Sequence, residues 1–390
     1  MKKSLIALAV LGAMSSAASA QSSVTMYGIL DIGLQWNEFG VATGNTTGGP
    51  TYAQENYFGI DGGYQSGNRW GVRGAEALGR GWNAVFTAEM GFLADTGNLG
   101  QGGRVFGRQV WAGLQHNGLG TVALGRIATP SSGTGSFDLW GSVDPFATGW
   151  GVNGLQSTMW PSNSLREDNS IIWASPTWAG FKFAAQYSFK IDGQETAPSG
   201  NNTKGLSLGG NWTWGPLFLA ATYDVLSPSD QLSSATFGNP DQKALQLGGT
   251  FDFKIVKLHA AYAIQDNIRI SPAANNPGVF NPTGAVPYDA DAWMLGVSIP
   301  LFGGSILASY QFSDADSLQG FTTAGVPYVF EPDYSVWGLG FTYPFSRRTN
   351  MYIGYGTVGW DGTLSTAPAN AAPGDRFDRQ QFAVGFRHLF

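Results

Sequence analysis

The chain has 390 residues and a formal net charge of −6, with 12% charged residues, 14% aromatics, 56 glycines and no cysteine. A hydrophobic content of 43% is too high for disorder, and lysines and arginines scattered through an acidic chain disfavour nucleic-acid binding. Without cysteine there is no disulfide framework, thiolate metal site or thiol nucleophile.

The N-terminus reads as an export signal. Lys2 and Lys3 form a positive start, Leu5 to Met14 an apolar stretch, and Ala18-Ser19-Ala20 a small-residue cleavage site. Residues 1–20 are therefore expected to be removed, leaving one unit over 21–390. The leader is too short for a membrane helix, and no later stretch approaches the roughly 20 apolar residues such a helix needs.

From Val24 onward, strand-like segments recur. In 24–36, Val24, Met26, Leu30, Ile32 and Leu34 alternate with polar or small residues. A Gly/Asn/Thr-rich stretch, 37–67, reads as a long loop. Segments 69–76 and 82–92 flank Leu78-Gly79-Arg80-Gly81; 104–114 and 121–127 flank His116 to Gly120. The stretch Ala128 to Leu165 is long, rich in Gly, Ser and Pro, and carries Asp138 and Asp144. Alternation resumes at 169–175 and 181–189. It recurs at 205–214, 217–226, 243–253, 256–266, 291–300, 305–313, 334–345, 350–358 and 378–390.

Connections alternate short and long, and there are about sixteen segments of roughly 8–13 residues. This pattern predicts an all-β, 16-stranded antiparallel transmembrane β-barrel with short periplasmic turns and long extracellular loops. Closure pairs every backbone N–H and C=O, as hydrocarbon requires. Aromatics at segment ends, such as Trp36, Trp70, Trp82, Trp173, Trp178, Trp212, Trp214, Tyr343 and Phe345, suit interfacial girdles. The last segment ends on Phe390 without a polar tail, which makes sense if it pairs with the first. A soluble sandwich or β-helix is the competing architecture, but sandwiches have irregular connection lengths.

Lipid-facing charge at the bilayer midplane costs roughly 2–4 kcal/mol, so charged residues are assigned to the interior. Parity then places Arg69, Arg73, Lys182, Lys257, His259, Asp31, Glu89, Asp224 and Asp252 toward a wet lumen of mixed sign.

Several segments resemble the general porins of β-proteobacteria. They are Ser23-Val24-Thr25-Met26-Tyr27-Gly28-Ile29-Leu30-Asp31, Arg69-Trp70-Gly71-Val72-Arg73-Gly74-Ala75-Glu76, Phe106-Gly107-Arg108-Gln109, Gly120-Thr121-Val122-Ala123-Leu124-Gly125-Arg126, Asp168-Asn169-Ser170-Ile171-Ile172-Trp173 and Gly385-Phe386-Arg387-His388-Leu389-Phe390. The resemblance implies a homotrimer in the bacterial outer membrane, in contact with lipid and lipopolysaccharide, with a third extracellular loop folded into the pore. It makes Phe390 part of the signal read by the outer-membrane assembly machinery. It also implies a constriction with Arg108 on the wall and Asp138 and Asp144 on the loop. Many relatives carry Arg at the position of Ile172; its loss argues against strong anion selectivity, with Arg166 nearby as a substitute.

The wall candidates are thus Arg69, Arg73, Arg108 and Arg166, opposite Asp138 and Asp144; Arg104 and Arg126 sit near segment ends. The plainer reading of any one arginine is a rim ion pair. The expected function is passive diffusion of ions and small hydrophilic solutes, with a substrate-specific channel on the same barrel as the alternative. A barrel enzyme is the third reading, and a Ser–His arrangement around His259 is its only foothold. No cofactor is expected, and His116, His259 and His388 lack metal-ligand spacing. Ion preference stays open.

Overall fold

The computed structural model describes residues 22–390 except 47–48, 142, 148, 156–164, 231–239, 269–286, 317, 322–326, 331–332 and 362–378. The expected leader lies outside the described residues.

The strands in chain order begin with β1 (Ser23–Thr46), β2 (Gly49–Gly62), β3 (Arg69–Gly79), β4 (Trp82–Gly91), β5 (Gln109–His116), β6 (Gly120–Ala128) and β7 (Arg166–Ala174). Next come β8 (Phe181–Ser188), β9 (Lys204–Trp214), β10 (Leu217–Ser227), β11 (Gln242–Asp252), β12 (Lys257–Ile268), β13 (Tyr288–Leu301) and β14 (Gly304–Ala315). A small separate hairpin, β15 (Leu318–Phe321) and β16 (Pro327–Phe330), precedes β17 (Asp333–Pro344), β18 (Thr349–Asp361) and β19 (Arg379–Leu389).

Neighbours pair antiparallel around a closed ring. The main sheet has 17 strands, but β2 and β3 pair with β1 in line, Gly62 opposite Ile32 and Arg69 opposite Ile29. They form one interrupted stave, so the wall is a 16-strand barrel. The last strand does pair with the first. Leu34 sits opposite Val384, Gly28 N–H donates to the Phe390 carbonyl at 3.0 Å, and Phe390 N–H donates back at 3.1 Å.

The burial pattern is inside out. Leu124 and Leu295 are each 59% exposed, whereas Gln246, Gln265 and Gln311 are 0% exposed. Side-chain alternation turns aliphatic residues outward and polar or small ones inward. Trp82, Trp173, Trp178, Trp214, Tyr343 and Phe345 are outward-exposed and cluster toward the short-turn end, as a girdle requires.

Two boundaries differ from the sequence reading. The expected loop 37–67 is mostly strand, because β1 runs on to Thr46 and folds back as β2. Gly and Asn mask a hairpin that pairs with itself, and Trp36 is consequently interior to a strand. Residues 104–108 lie outside β5, where Arg104 reaches sideways to Asp168 at 2.9 Å.

The long β6–β7 connection, hereafter the third loop, lies along the inner wall. The Leu139 carbonyl accepts from Asn211 of β9 at 3.0 Å, and the Val143 carbonyl meets His259 of β12 at 2.9 Å. Farther on, the Asn153 carbonyl accepts from Gln311 of β14 at 2.7 Å. Small residues on the wall make room for it. A Cβ at Gly248 would stand 2.6 Å from Val143, at Gly340 2.8 Å from Trp150, and at Gly356 1.7 Å from Asn153. Gly356→Val should therefore cost about 1–3 kcal/mol through overpacking and make the third loop cleavable by proteinase K in detergent while the barrel stays intact. A loop that stays resistant would refute this seat.

Candidate functional site

The third loop covers the inner face from β9 round to β19, and its first part, through Phe137 and Leu139, packs on the wall from β3 to β7. That wall gathers five of the chain's thirteen arginines. Parity on β3 turns Arg69 and Arg73 inward, away from Trp70 and Val72. The other guanidiniums come from the strand ends: Arg108 just before β5, Arg126 near the end of β6 and Arg166 at the start of β7.

The structure brings Arg69, Arg108, Arg126 and Arg166 within electrostatic reach of one another, with Glu89 of β4 among them. Arg108 Nε donates to Glu89 Oε1 at 2.7 Å, in a pair only 5% and 4% exposed, and Tyr27 Oη donates to Glu89 Oε2 at 2.9 Å. Arg126 donates to Asp168 at 2.6 Å, and Arg104 shares that carboxylate. Arg69 donates to the Gly67 carbonyl at 3.0 Å. Among the described residues, neither Arg69 nor Arg166 is in an ion pair. The cluster therefore carries surplus positive charge.

Arg73 is apart from it. Four residues along the same strand, roughly 13 Å, it lies over the Tyr27 ring at 5.2 Å and lines a cavity of about 430 Å³ toward the short-turn end. Asp138 and Asp144 are on the loop, turned into its own backbone. Asp138 accepts from Trp140 N–H at 2.9 Å and Gly141 N–H at 2.8 Å. Asp144 accepts from Phe146 and Leu155 N–H, both at 2.8 Å. Burial pushes the Asp138 carboxyl up to about 6 and that of Asp144 up to about 7, against the opposite pull of those N–H donors.

Ile172 is fully buried under the loop, clustered with Trp111, Ala123, Ile127, Leu139 and Ala184. An apolar residue on the inner face here anchors the loop. The Ser–His arrangement around His259 takes a definite form: Nε2 meets Ser298 Oγ at 3.0 Å and Nδ1 meets the Val143 carbonyl at 2.9 Å. A carbonyl can only accept, so Nδ1 carries the proton and Nε2 accepts from Ser298. Nucleophilic triads usually put a carboxylate where Val143 offers this carbonyl, and the contact ties the loop to the wall.

One functional segment went unread in the sequence. Residues 63–68, between β2 and β3, fold inward around Asp31. Its carbonyl accepts from Gly63 N–H at 3.0 Å; its carboxylate accepts from Ser66 N–H and Tyr352 Oη, each at 2.6 Å. Arg387 donates to Ser66 Oγ at 3.0 Å. Tyr64 thereby stacks on Tyr352 at 5.7 Å and meets Trp150 edge-on at 5.9 Å, clamping the far part of the third loop. The signal available was parity, since Asp31 and Arg387 occupy inward positions directly opposite each other.

Comparison with known proteins agrees with this geometry. The profile of the Gram-negative porin family matches residues 7–363. The chain is 32% identical to an outer membrane porin protein of Bordetella pertussis over 411 residues, covering 100% of both chains. It is 29% identical over 364 residues to outer membrane porin protein 32 of Delftia acidovorans, covering 90% of this chain and 88% of that one. Among solved structures it resembles an anion-selective porin from Comamonas acidovorans, with a TM-score of 0.67 at 22% identity, covering 95% of this chain and 100% of that one.

Burial of Asp144 has a pH consequence. Its folded pKa of about 7 lies above the ordinary 3.8, so the folded loop favours the neutral acid. That contribution is complete below 3.8 and is lost as pH rises to about 7. Hydrogen exchange at amides 144–155, corrected for intrinsic rate, should be faster at pH 8 than at pH 5, and Asp144→Asn should remove the difference. Equal protection at both pH values would refute the argument.

Proposed function

The chain belongs to the Gram-negative porin family, and from that premise we propose how its barrel works as a channel. It is a multi-pass β-barrel of the bacterial outer membrane that passes ions and small hydrophilic solutes by diffusion through a water-filled lumen. The cluster Arg69, Arg108 and Arg166 forms the wall of the constriction, with Arg73 below it and the third loop narrowing the opposite side. Asp138 and Asp144 act there by holding the loop's shape, so the field across the passage is dominated by arginine. The observation that carries this is the surplus of guanidinium over carboxylate on the wall from β3 to β7. Anion preference follows, in keeping with the anion selectivity of the Comamonas acidovorans porin.

The remaining assignments rest on family membership. The mature barrel begins after a cleaved leader, residues 1–20. Phe390, at the exposed end of β19, serves as the assembly signal. The protein works as a homotrimer embedded among lipid and lipopolysaccharide, with its short turns toward the periplasm, and it catalyses no reaction. The His259–Val143 contact supports a loop tether.

Neutralising Arg108 should shift ion preference toward cations. Arg108→Gln leaves Glu89 without its partner and so makes the wall one charge more negative, as Arg69→Gln and Arg166→Gln do, and each should move the reversal potential in the same direction. Purified protein in planar bilayers across a KCl gradient gives that potential. A value unchanged by all three substitutions would overturn the wall assignment.

A further inference from the structure

Below the arginine cluster, toward the short-turn end, the 430 Å³ cavity has a composition that water and ions do not need. Arg73 and Lys182 both line it. Among the described residues neither is in an ion pair. Around the wall the two lie on β3 and β8, five strands apart, or roughly 24 Å along the sheet at the usual strand spacing. They therefore mark two ends of one space. Between them the third loop lowers Phe137 onto Trp111, ring centroids 5.0 Å apart with planes at 47°. Both rings border the cavity. The one carboxylate there, Asp138, has its oxygens taken by Trp140 and Gly141 N–H.

A bare inorganic anion would use the cations and ignore the rings; a neutral sugar would leave the cations unanswered. We propose that this cavity is a binding subsite for small aromatic carboxylates. The ring lies against Trp111 and Phe137, and the carboxylate is held by Arg73 or Lys182. Charge-assisted hydrogen bonds from a guanidinium or ammonium supply attraction, and the flat apolar body gains by leaving water. The site is weak and open by design, because a solute that is to pass must also leave. A second cavity of about 530 Å³ continues from it past Asp138 and Lys182 to Lys257, giving the anion a further cation on its way along the lumen.

The inference rests on the channel reading, and the test separates the two. Purified protein in planar bilayers is titrated with benzoate, acetate and benzyl alcohol, and the decrease in KCl current is read relative to each variant's own open current. Benzoate should reduce the current saturably, with an apparent affinity about tenfold or more above that of acetate or benzyl alcohol. The double variant R73Q/K182Q should lose about tenfold or more of that affinity. Phe137→Leu, which keeps an apolar anchor for the loop, should bring benzoate down to the level of acetate. Conductance with equal effects of benzoate and acetate, or benzoate block indifferent to R73Q/K182Q, would overturn the subsite and leave the channel standing. A protein that conducts nothing would overturn the channel itself.

Discussion

The reciprocal pairing of Gly28 with Phe390 is the constraint from which the rest of the structure follows. In hydrocarbon an unpaired backbone N–H or C=O costs several kcal/mol, so a sheet can span a membrane only if its first and last strands meet. Closure then dictates sidedness. Aliphatic and aromatic residues turn outward, and Gln, Ser, Thr and charged residues turn in. The interior of such a cylinder is too wide for wall side chains to fill. What enters it must come from the connections between strands.

Two connections do so here, and they lock each other. The third loop lies along a track of small inward residues, and the 63–68 excursion supplies Tyr64 as the peg for its far part. The peg depends on an opening in the second stave, where β2 stops at Gly62 and β3 begins at Arg69. Asp31 accepts the donors that the gap would otherwise orphan. Loop, excursion and wall are therefore one packed unit, and loss of any part loosens a passage lined by charge.

How much of this was legible depended on whether the signal was periodic. Alternation gave the barrel, its strand count and the inward direction of Arg69, Arg73, Lys182 and Asp31, because a period of two assigns a face without knowing any contact. It failed where composition overrode period, as in 37–62, where Gly and Asn punctuate a real hairpin. The glycines at Gly338, Gly340, Gly354 and Gly356 are spaced by two and so share one face, yet they read as generic sheet glycines. Their purpose shows only when Asn153 and Trp150 are found against them. Asp138 and Asp144 could be placed on the loop by sequence, but nothing local could tell that their oxygens point into its backbone. The Arg108–Glu89 pair needed the register of β4 against β5 as well as parity.

Charge and packing are finally the same problem in this lumen. At physiological ionic strength the screening length is about 8 Å, so a guanidinium influences only what passes within roughly that distance. In an unobstructed barrel of this strand number, most of the lumen would lie beyond the reach of any wall arginine. Arg108 and Arg126 are moreover engaged by Glu89 and Asp168, which fix their geometry at the expense of their net charge. In the channel proposed above, the surplus on Arg69 and Arg166 sorts ions only because the third loop brings the opposite boundary of the passage toward them. On that proposal, selectivity is set as much by what seats the loop, namely Tyr64, Ile172 and the inward glycines, as by the arginines themselves.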